Sequence, residues 1–242
     1  MSSDSKRLSR SVEDYLKAVF ALTRDGGPAS TSALAEQLAV QPASVTGMVK
    51  RLAGAGLLAH APYRGVLLTE NGRREALRVI RRHRVLETYL TERLGYAWED
   101  VHQEAERLEH TASDRLIDAM AHALGDPSHD PHGSPIPTAR GEIESASRTT
   151  LAAAVLEEPH VIESVRDDRA DDLRAMEADG LVPGAAVTVL DRVPGRGLRV
   201  RVGGGGADGG AGAEVEGGGG SESDTTTMVP PAMADRIFVT PR

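Results

Sequence analysis

The residues in this sequence with the most evident chemistry lie between His83 and His110, where histidines and glutamates recur at a spacing of four. His83 and Glu87 form the first such pair. Glu106 forms two more, with His102 before it and His110 after it. Residues four apart share one face of an α-helix, so each pair would present an imidazole beside a carboxylate. The spacing favours a metal site built on helices, and the alternative is an ordinary solvated helix face.

Cysteine is absent from the chain, which excludes disulfides, zinc–thiolate sites, iron–sulfur clusters and cysteine nucleophiles. Any metal must therefore be held by histidine, carboxylate, methionine or backbone oxygen. The 242 residues suit two or three domains. No apolar run approaches the length of a membrane span and no secretory signal is visible, so we expect a cytoplasmic protein with no membrane partner.

The net charge of −8 is unevenly distributed along the chain. Residues 1–100 hold 15 lysines and arginines against 11 acidic residues, whereas residues 101–242 hold 13 against 25. Within residues 40–84 nine basic residues face only two acidic ones. A basic segment on an acidic chain indicates a confined nucleic-acid-binding face. The alternative is that arginine is simply abundant throughout.

The elements that must position these residues begin with a helix-rich N-terminal region. Pro42 suits the first turn of a helix, and glycines at 54 and 56 end that helix. The expected helices are 12–24, 32–40 and 43–56, and the expected strands are 57–60 and 66–69. Helix, short helix, turn, helix and hairpin is the order of a winged helix-turn-helix.

The remainder of the chain changes from helical to β patterns. We expect a helix over 70–94 capped by Thr69, another from Trp98 to Leu124, and a proline-rich connector over 126–137. From Val161 onwards, short alternating segments predict a small β-barrel. It is interrupted by a glycine-rich insertion, residues 203–227, which cannot bury a core and which we expect to be disordered.

The winged helix-turn-helix predicts a set of DNA contacts. Ser44 and Thr46 lie in the first turns of the third helix and could meet base edges. Lys50, Arg51 and, in the wing, Arg64 are placed for phosphates. Winged helices that contact proteins rather than DNA are the alternative. Five other histidines are expected to be ordinary residues rather than ligands: His60, His122, His129, His132 and His160.

These patterns together resemble the diphtheria-toxin-repressor family of iron- and manganese-dependent metalloregulators. The resemblance rests on VEDYLK at 12–17, PASVTGMVKRLAGAGLL in the third helix, YRGVLLTENGR in the wing, RRHRVLETYL at 81–90, LGYAWEDVHQEAERLEHTASDRL at 94–116 and DPHGSPIP. It covers residues 11–137. Further on, ADGLVPGAAVTVL and the final IFV are similar to the family's SH3-like, FeoA-type domain.

The resemblance implies two groups of metal ligands. The primary site would use Asp14, Glu106, Glu109 and His110. A second site would use His83, Glu87 and His102, with a carboxylate near Asp172. Iron-type members carry Cys at the position of Glu106 and Met at that of Asp14, so hard oxygen ligands here favour Mn²⁺. Short manganese-type members place Glu where this chain has Lys17, and the family's base-contacting Gln is Gly47 here.

We therefore predict a mainly α-helical, homodimeric, manganese-activated transcriptional repressor that binds double-stranded operator DNA and controls metal-uptake genes. Its cofactor would be Mn²⁺, at two or more ions per subunit, with Fe²⁺ as the alternative. The predicted domains are a winged helix-turn-helix DNA-binding domain at 1–72, a helical dimerisation and metal-binding domain at 73–140, a linker at 141–159 and an SH3-like domain at 160–242. An iron-dependent regulator, a dinuclear-metal enzyme and a metal-independent DNA-binding regulator are the alternatives. No enzymatic activity and no small-molecule substrate are expected.

Overall fold

The computed structural model describes residues 8–24, 26–61, 65–146, 149–166, 169–203 and 225–242. They fall into two compact units. The first unit comprises Met1–Leu86, Glu104–Ser128 and Ile136–Glu144, and the second comprises Glu87–Gln103, His129–Pro135 and Ser145–Arg242. None of the helices in these ranges has the length and apolar character that crossing a bilayer requires.

The first unit begins with three helices and a hairpin. These are α1 (Arg10–Leu22), α2 (Thr31–Gln37), α3 (Pro42–Gly54), β1 (Leu58–Ala61) and β2 (Gly65–Leu68). Leu16 and Val19 of α1 and Leu34 of α2 are fully buried in one apolar cluster that also holds residues of α3 and the hairpin. The predicted order of a winged helix-turn-helix is confirmed.

Helix α3 turns one face to this core and leaves the other to solvent. Pro42 occupies its first turn, where the missing N–H costs nothing. Val45, Val49 and Leu52 recur at helical spacing and are buried. The opposite face is therefore the surface that α3 offers to a partner.

One residue of the loop after α1 forms an isolated bridge with the hairpin. β1 and β2 pair antiparallel, with Leu58 opposite Leu68. Ala29 and Val66 exchange two backbone hydrogen bonds of 2.9 Å. Gly65 allows this approach, because it has φ +92° and a Cβ there would lie 2.9 Å from Pro28.

Helix α4 (Glu70–Leu94) starts against the hairpin, and its bounds match the predicted helix 70–94. The Thr69 hydroxyl accepts a hydrogen bond from the Gly72 N–H and donates one to the Gly56 carbonyl. A Cβ on Gly72 would lie 1.9 Å from the carbonyl oxygen of Leu57. Only glycine permits this contact, so the helix start is fixed on the hairpin.

The single helix predicted from Trp98 to Leu124 is wrong, because two helices occupy that stretch. They are α5 (Val101–Leu108) and α6 (Asp114–Ala123). Ser113 has extended backbone and its side chain accepts a hydrogen bond from the Leu116 N–H. A serine in this position caps a new helix instead of continuing the old one. The break places the residues after α5 in a turn.

The second unit contains a five-stranded antiparallel sheet in the order β6-β5-β4-β3-β7. Its elements are a short 3₁₀ helix (Leu151–Ala153), β3 (Pro159–Val165), α7 (Ala170–Ala178), β4 (Ala186–Val193), β5 (Gly197–Gly203), β6 (Thr225–Val229), α8 (Pro231–Ala234) and β7 (Ile237–Pro241). Alternate residues of β4 and β5 are buried with Ile162 and Leu173 in one core. The predicted small C-terminal β domain is confirmed, and its strands form an antiparallel sheet.

Both ends of the predicted glycine-rich insertion 203–227 belong to strands, so the predicted range is too long at each end. Gly203 ends β5, and Thr225 pairs with Val202 at the start of β6. Threonine favours extended backbone because it is β-branched, which explains the strand at this end. Residues 204–224 lie outside the described residues, as does Arg64 in the predicted wing turn.

Candidate metal centre

Three potential ligands converge in the first unit, from α1 and from the turn after α5. Asp14 lies on α1, and Glu109 and His110 follow α5 directly. Ligand atoms of these three side chains all lie within 4.8 Å of one another. His110 Nε2 is 3.0 Å from Asp14 Oδ1 and 3.2 Å from Glu109 Oε1. The structure thus brings together three of the four residues predicted for the primary site.

The imidazole of His110 is oriented by Glu13, a buried residue that the sequence prediction did not include. Glu13 Oε2 lies 2.6 Å from His110 Nδ1, and Glu13 Oε1 accepts a 3.0 Å hydrogen bond from Arg82. An ionised carboxylate only accepts, so Nδ1 carries the proton and Nε2 keeps its lone pair. Nε2 is buried and has no hydrogen-bond partner within the described residues. A lone pair facing two carboxylates needs a cation between them, and a divalent metal ion fits.

The two carboxylates of this group differ in their affinity for protons. Burial raises the pKa of Asp14, although the charge of Lys17 opposes it. Burial also acts on Glu109, but the hydrogen bond from His83 and the charge of Lys17 outweigh it and hold the pKa of Glu109 below its ordinary value. Glu109 therefore holds a proton less strongly than an ordinary glutamate and Asp14 more strongly than an ordinary aspartate, and each would bind a metal in its ionised form.

The fourth predicted primary ligand, Glu106, contacts a lysine instead of the three-residue group. Lys17 Nζ on α1 donates a 2.7 Å hydrogen bond to Glu106 Oε1. The same nitrogen lies 2.7 Å from Glu109 Oε1 and 2.9 Å from Glu109 Oε2. An ammonium group thus joins the two glutamates of the α5 region.

His83, predicted for the second site, lies beside the primary group. Its Nδ1 is 2.6 Å from Glu109 Oε2 and 4.0 Å from Glu106 Oε1. The contact with Glu109 places the proton on Nδ1. His83 therefore orients Glu109 through the oxygen that faces away from His110.

A second group of potential ligands lies within the second unit, where Glu87, Asp130 and His132 are all buried. Their ligand atoms lie within 4.8 Å of one another, and His132 Nδ1 is 3.9 Å from Glu87 Oε2. His132 Nε2 lies 2.9 Å from the carbonyl oxygen of Trp98. Because a carbonyl only accepts, Nε2 carries the proton and Nδ1 has the lone pair. Two carboxylates and an imidazole nitrogen again suit a divalent cation.

The loop that carries Asp130 and His132 is held firmly in place. Asp130 Oδ1 accepts 2.9 Å hydrogen bonds from the backbone N–H groups of His132 and Ser134. A Cβ on Gly133 would lie 2.0 Å from the carbonyl oxygen of Glu163 on β3, so only glycine fits. The Trp98 ring stacks on the His132 ring, with centroids 5.4 Å apart. The two side chains are therefore ordered by the fold itself.

The remaining residues predicted for the second site are placed as follows. His102 Nδ1 lies 3.2 Å from Glu87 Oε1, so these two predicted ligands are in contact. Asp172 on α7 makes ion pairs with Arg236 at 3.2 Å and with Arg169 at 3.3 Å. Asp172 belongs to neither of the ligand groups described above.

The predicted DNA contacts lie on the outer face of α3. Ser44, Thr46, Lys50 and Arg51 are all exposed. The Thr46 hydroxyl donates a 3.2 Å hydrogen bond to the Pro42 carbonyl, which leaves its oxygen able to accept. These positions agree with a DNA-facing helix surface.

Three residues of these arrangements were not among the predicted ligands: Glu13, Asp130 and His132, of which His132 was expected to be an ordinary histidine. Glu13 stands next to Asp14 and four residues before Lys17, so its helical spacing placed it on the ligand face. His132 and Asp130 belong to the DPHGSPIP segment, where proline and glycine indicated only a connector. The sequence signal for a metal site in that segment was the pair Asp130 and His132, two potential ligands separated by one residue.

Two family models match the sequence. Residues 7–66 match the iron dependent repressor N-terminal DNA binding domain, and residues 69–138 match the iron dependent repressor metal binding and dimerisation domain. The iron-dependent repressor IdeR of Mycobacterium leprae (strain TN) is 33% identical over 193 residues, which cover 74% of this chain and 83% of that protein. The transcriptional regulator MntR of Geobacillus kaustophilus (strain HTA426) is 38% identical over 110 residues, which cover 46% of this chain and 77% of that protein.

Solved structures resemble the chain over nearly its whole length. A manganese-dependent transcriptional repressor in complex with manganese has a TM-score of 0.80 and 32% identity, covering 96% of this chain and 100% of that one. The IdeR of T. acidophilum has a TM-score of 0.72 and 26% identity, covering 100% of both chains. These similar proteins are transcriptional regulators named for iron or for manganese.

Proposed function

Because this chain belongs to the iron-dependent repressor family, and is a metal-dependent transcriptional repressor rather than an enzyme, we propose that manganese is the metal that activates it. The proposal extends to operator DNA as the partner, a homodimer as the active form and metal-uptake genes as the target. The observation that carries it is the convergence of Asp14, Glu109 and His110.

The chemistry of the donor set supports Mn²⁺ over later metals. Asp14 and Glu109 supply hard carboxylate oxygens, and His110 supplies one imidazole nitrogen. Cysteine is absent from the chain and no methionine belongs to the group. Carboxylate oxygens suit manganese, whereas thiolates and thioethers select softer metals. Fe²⁺ is the alternative, since the similar proteins include regulators named for iron.

The position of the group explains how ion binding would control DNA binding. Asp14 lies on α1, next to the helices that form the DNA-binding part, whereas Glu109 and His110 follow α5. Residues that hold one ion from both sides would fix α1 against α5. The outer face of α3, with Ser44 and Thr46 towards bases and Lys50 and Arg51 towards phosphates, would then be held for the major groove. By linkage, DNA would strengthen metal binding by the same factor.

We propose Glu87, Asp130 and His132 as the ligands of a further ion in the second unit. The support is that all three are buried and that their ligand atoms lie within 4.8 Å of one another. Glu87 is also in contact with His102, which the sequence predicted for a second site. Carboxylate oxygens and an imidazole nitrogen are donors that divalent ions take.

A gel shift on DNA from the region upstream of the chain's own gene tests the function. EDTA is expected to abolish specific binding and Mn²⁺ to restore it, and anaerobic Fe²⁺ at matched free concentration compares the two metals. Asp14→Ala should lose the metal response, whereas Glu177→Ala, an exposed carboxylate on α7, should keep it. Equal affinity for DNA in EDTA and in Mn²⁺ would rule out the proposal.

A further inference from the structure

The ammonium group of Lys17 occupies a bridging position between two glutamates. It makes three contacts of 2.7–2.9 Å, one to Glu106 and two to Glu109. These are the lengths of charge-assisted hydrogen bonds, and they use all three donors that a lysine has. Glu109 is fully buried and the Lys17 side chain is only 20% exposed, so water cannot easily replace these bonds.

One oxygen of Glu109 contacts both Lys17 and the ligand group. Glu109 Oε1 lies 2.7 Å from Lys17 Nζ and 3.2 Å from His110 Nε2. A carboxylate shared in this way bridges two neighbouring cation positions, as carboxylates do in dinuclear metal sites. One position faces Asp14 and His110, and the ammonium fills the other.

The charges around the group balance for one divalent ion. Four carboxylates lie here, those of Glu13, Asp14, Glu106 and Glu109. Lys17 and Arg82 supply two positive charges by direct contact. Asp114 also contacts Arg82, but Arg78 supplies a charge for Asp114, so two negative charges remain. Arg10, 3.9 Å from Asp14, is largely exposed and screened by water. One divalent ion neutralises this remainder, whereas a second would leave an uncompensated excess in a mostly buried site.

We propose that Lys17 takes the place of a second metal ion, so that the site of Asp14, Glu109 and His110 binds one divalent ion per chain. Lys17 is then the residue that sets this number. The inference rests on the proposed metal site. Burial acts to lower the pKa of Lys17, but the charges of Glu109 and Glu106 outweigh it and hold the pKa above its ordinary value. The three hydrogen bonds of 2.7–2.9 Å hold the ammonium in the bridging position.

Manganese stoichiometry in the full-length protein tests the proposal, measured by equilibrium dialysis and by electron paramagnetic resonance. Lys17→Glu is expected to bind one more Mn²⁺ per chain than the wild type and to show exchange coupling between ions about 4 Å apart. Lys17→Arg keeps the charge and is the matched control, with an unchanged number of ions. An unchanged number and no coupling in Lys17→Glu would overturn the proposal.

Two further variants make the outcome decisive. If Lys17→Glu does not fold, Lys17→Met is measured instead, and it should take up a second ion at saturating Mn²⁺; an unchanged count there overturns the proposal. The double variant Asp14→Ala with His110→Ala should bind one ion fewer than the wild type. If it loses none, the proposed metal site itself fails. If it loses one while Lys17→Glu gains none, only the role of Lys17 fails.

Discussion

Glu13 gives His110 one defined tautomer, and that tautomer decides whether the imidazole can bind a metal. The 2.6 Å contact with Glu13 places the proton on Nδ1, which leaves Nε2 towards Asp14 and Glu109. Arg82 holds Glu13 in turn with a 3.0 Å ion pair. Arg82 and Glu13 thus prepare one ligand nitrogen without belonging to the ligand group themselves.

Removing the charge of Glu13 tests this preparation at the level of one residue. In Glu13→Gln the amide can no longer hold both Arg82 and the Nδ1 proton, so Mn²⁺ affinity is expected to fall by about 10- to 100-fold. Isothermal titration with Mn²⁺ measures it. Glu104→Gln on α5, a glutamate that lies 3.2 Å from Arg107, is the control and should change affinity little. Equal affinities in the two variants would contradict a positioning role for Glu13.

At the level of elements, α4 and α6 are joined by a carboxylate between two arginines. Asp114, in the first turn of α6, accepts hydrogen bonds from Arg82, at 3.0 Å, and from Arg78. Burial acts to raise the pKa of Asp114, but these hydrogen bonds outweigh it and hold the pKa below its ordinary value. Its negative charge also suits the N-terminus of α6. The two helices therefore share an ion pair that depends on pH.

The direction in which the Asp114 ion pair makes stability depend on pH can be measured by comparing the metal-free wild type with Asp114→Asn. A carboxyl whose pKa is lowered by folding contributes stability above its unfolded pKa and loses it as the pH falls through its folded pKa. We expect the free energy of unfolding of the wild type to exceed that of the variant by roughly 0.5–1 kcal/mol at pH 7. The difference is small because the Asp114 carboxylate is partly exposed. Urea unfolding from pH 7 down to pH 2.5 should show this difference shrinking as the pH falls. Asp118→Asn, an exposed partner of Arg81, is the control with a smaller difference at every pH.

What the sequence could predict follows from local patterns. Thr69 and the apolar periodicity were enough for the bounds of α4, and the winged helix-turn-helix followed from Pro42 and the glycines. The break at Ser113 was missed because apolar periodicity runs through it, although a serine cap signals a new start. The contacts of Lys17 with Glu106 and Glu109 join residues 89 and 92 positions apart. No local pattern encodes such a contact, so only the folded chain reveals that Glu106 holds a lysine.

At the level of the whole molecule, two groups of potential ligands among the described residues each lie within a single unit. Asp14, Glu109 and His110 belong to the first unit, and Glu87, Asp130 and His132 belong to the second. The first group lies beside the helices that carry the DNA-facing residues, whereas the second lies in the unit that holds the antiparallel sheet. Two ions bound in this way would have separate affinities, and each could be removed by substitutions in its own unit.

Trp98 gives the molecule an optical signal for the binding of an ion in the second unit. It is the only tryptophan in the sequence, and its ring stacks on His132 with centroids 5.4 Å apart. An ion bound by His132 would therefore change the intrinsic fluorescence, because a paramagnetic Mn²⁺ in contact with the stacked imidazole quenches the indole. We expect quenching on titration with Mn²⁺ in the wild type and in Asp14→Ala, and none in His132→Gln. The fluorescence of a single side chain would then report ion binding by the group that contains His132, independently of the group that contains Asp14.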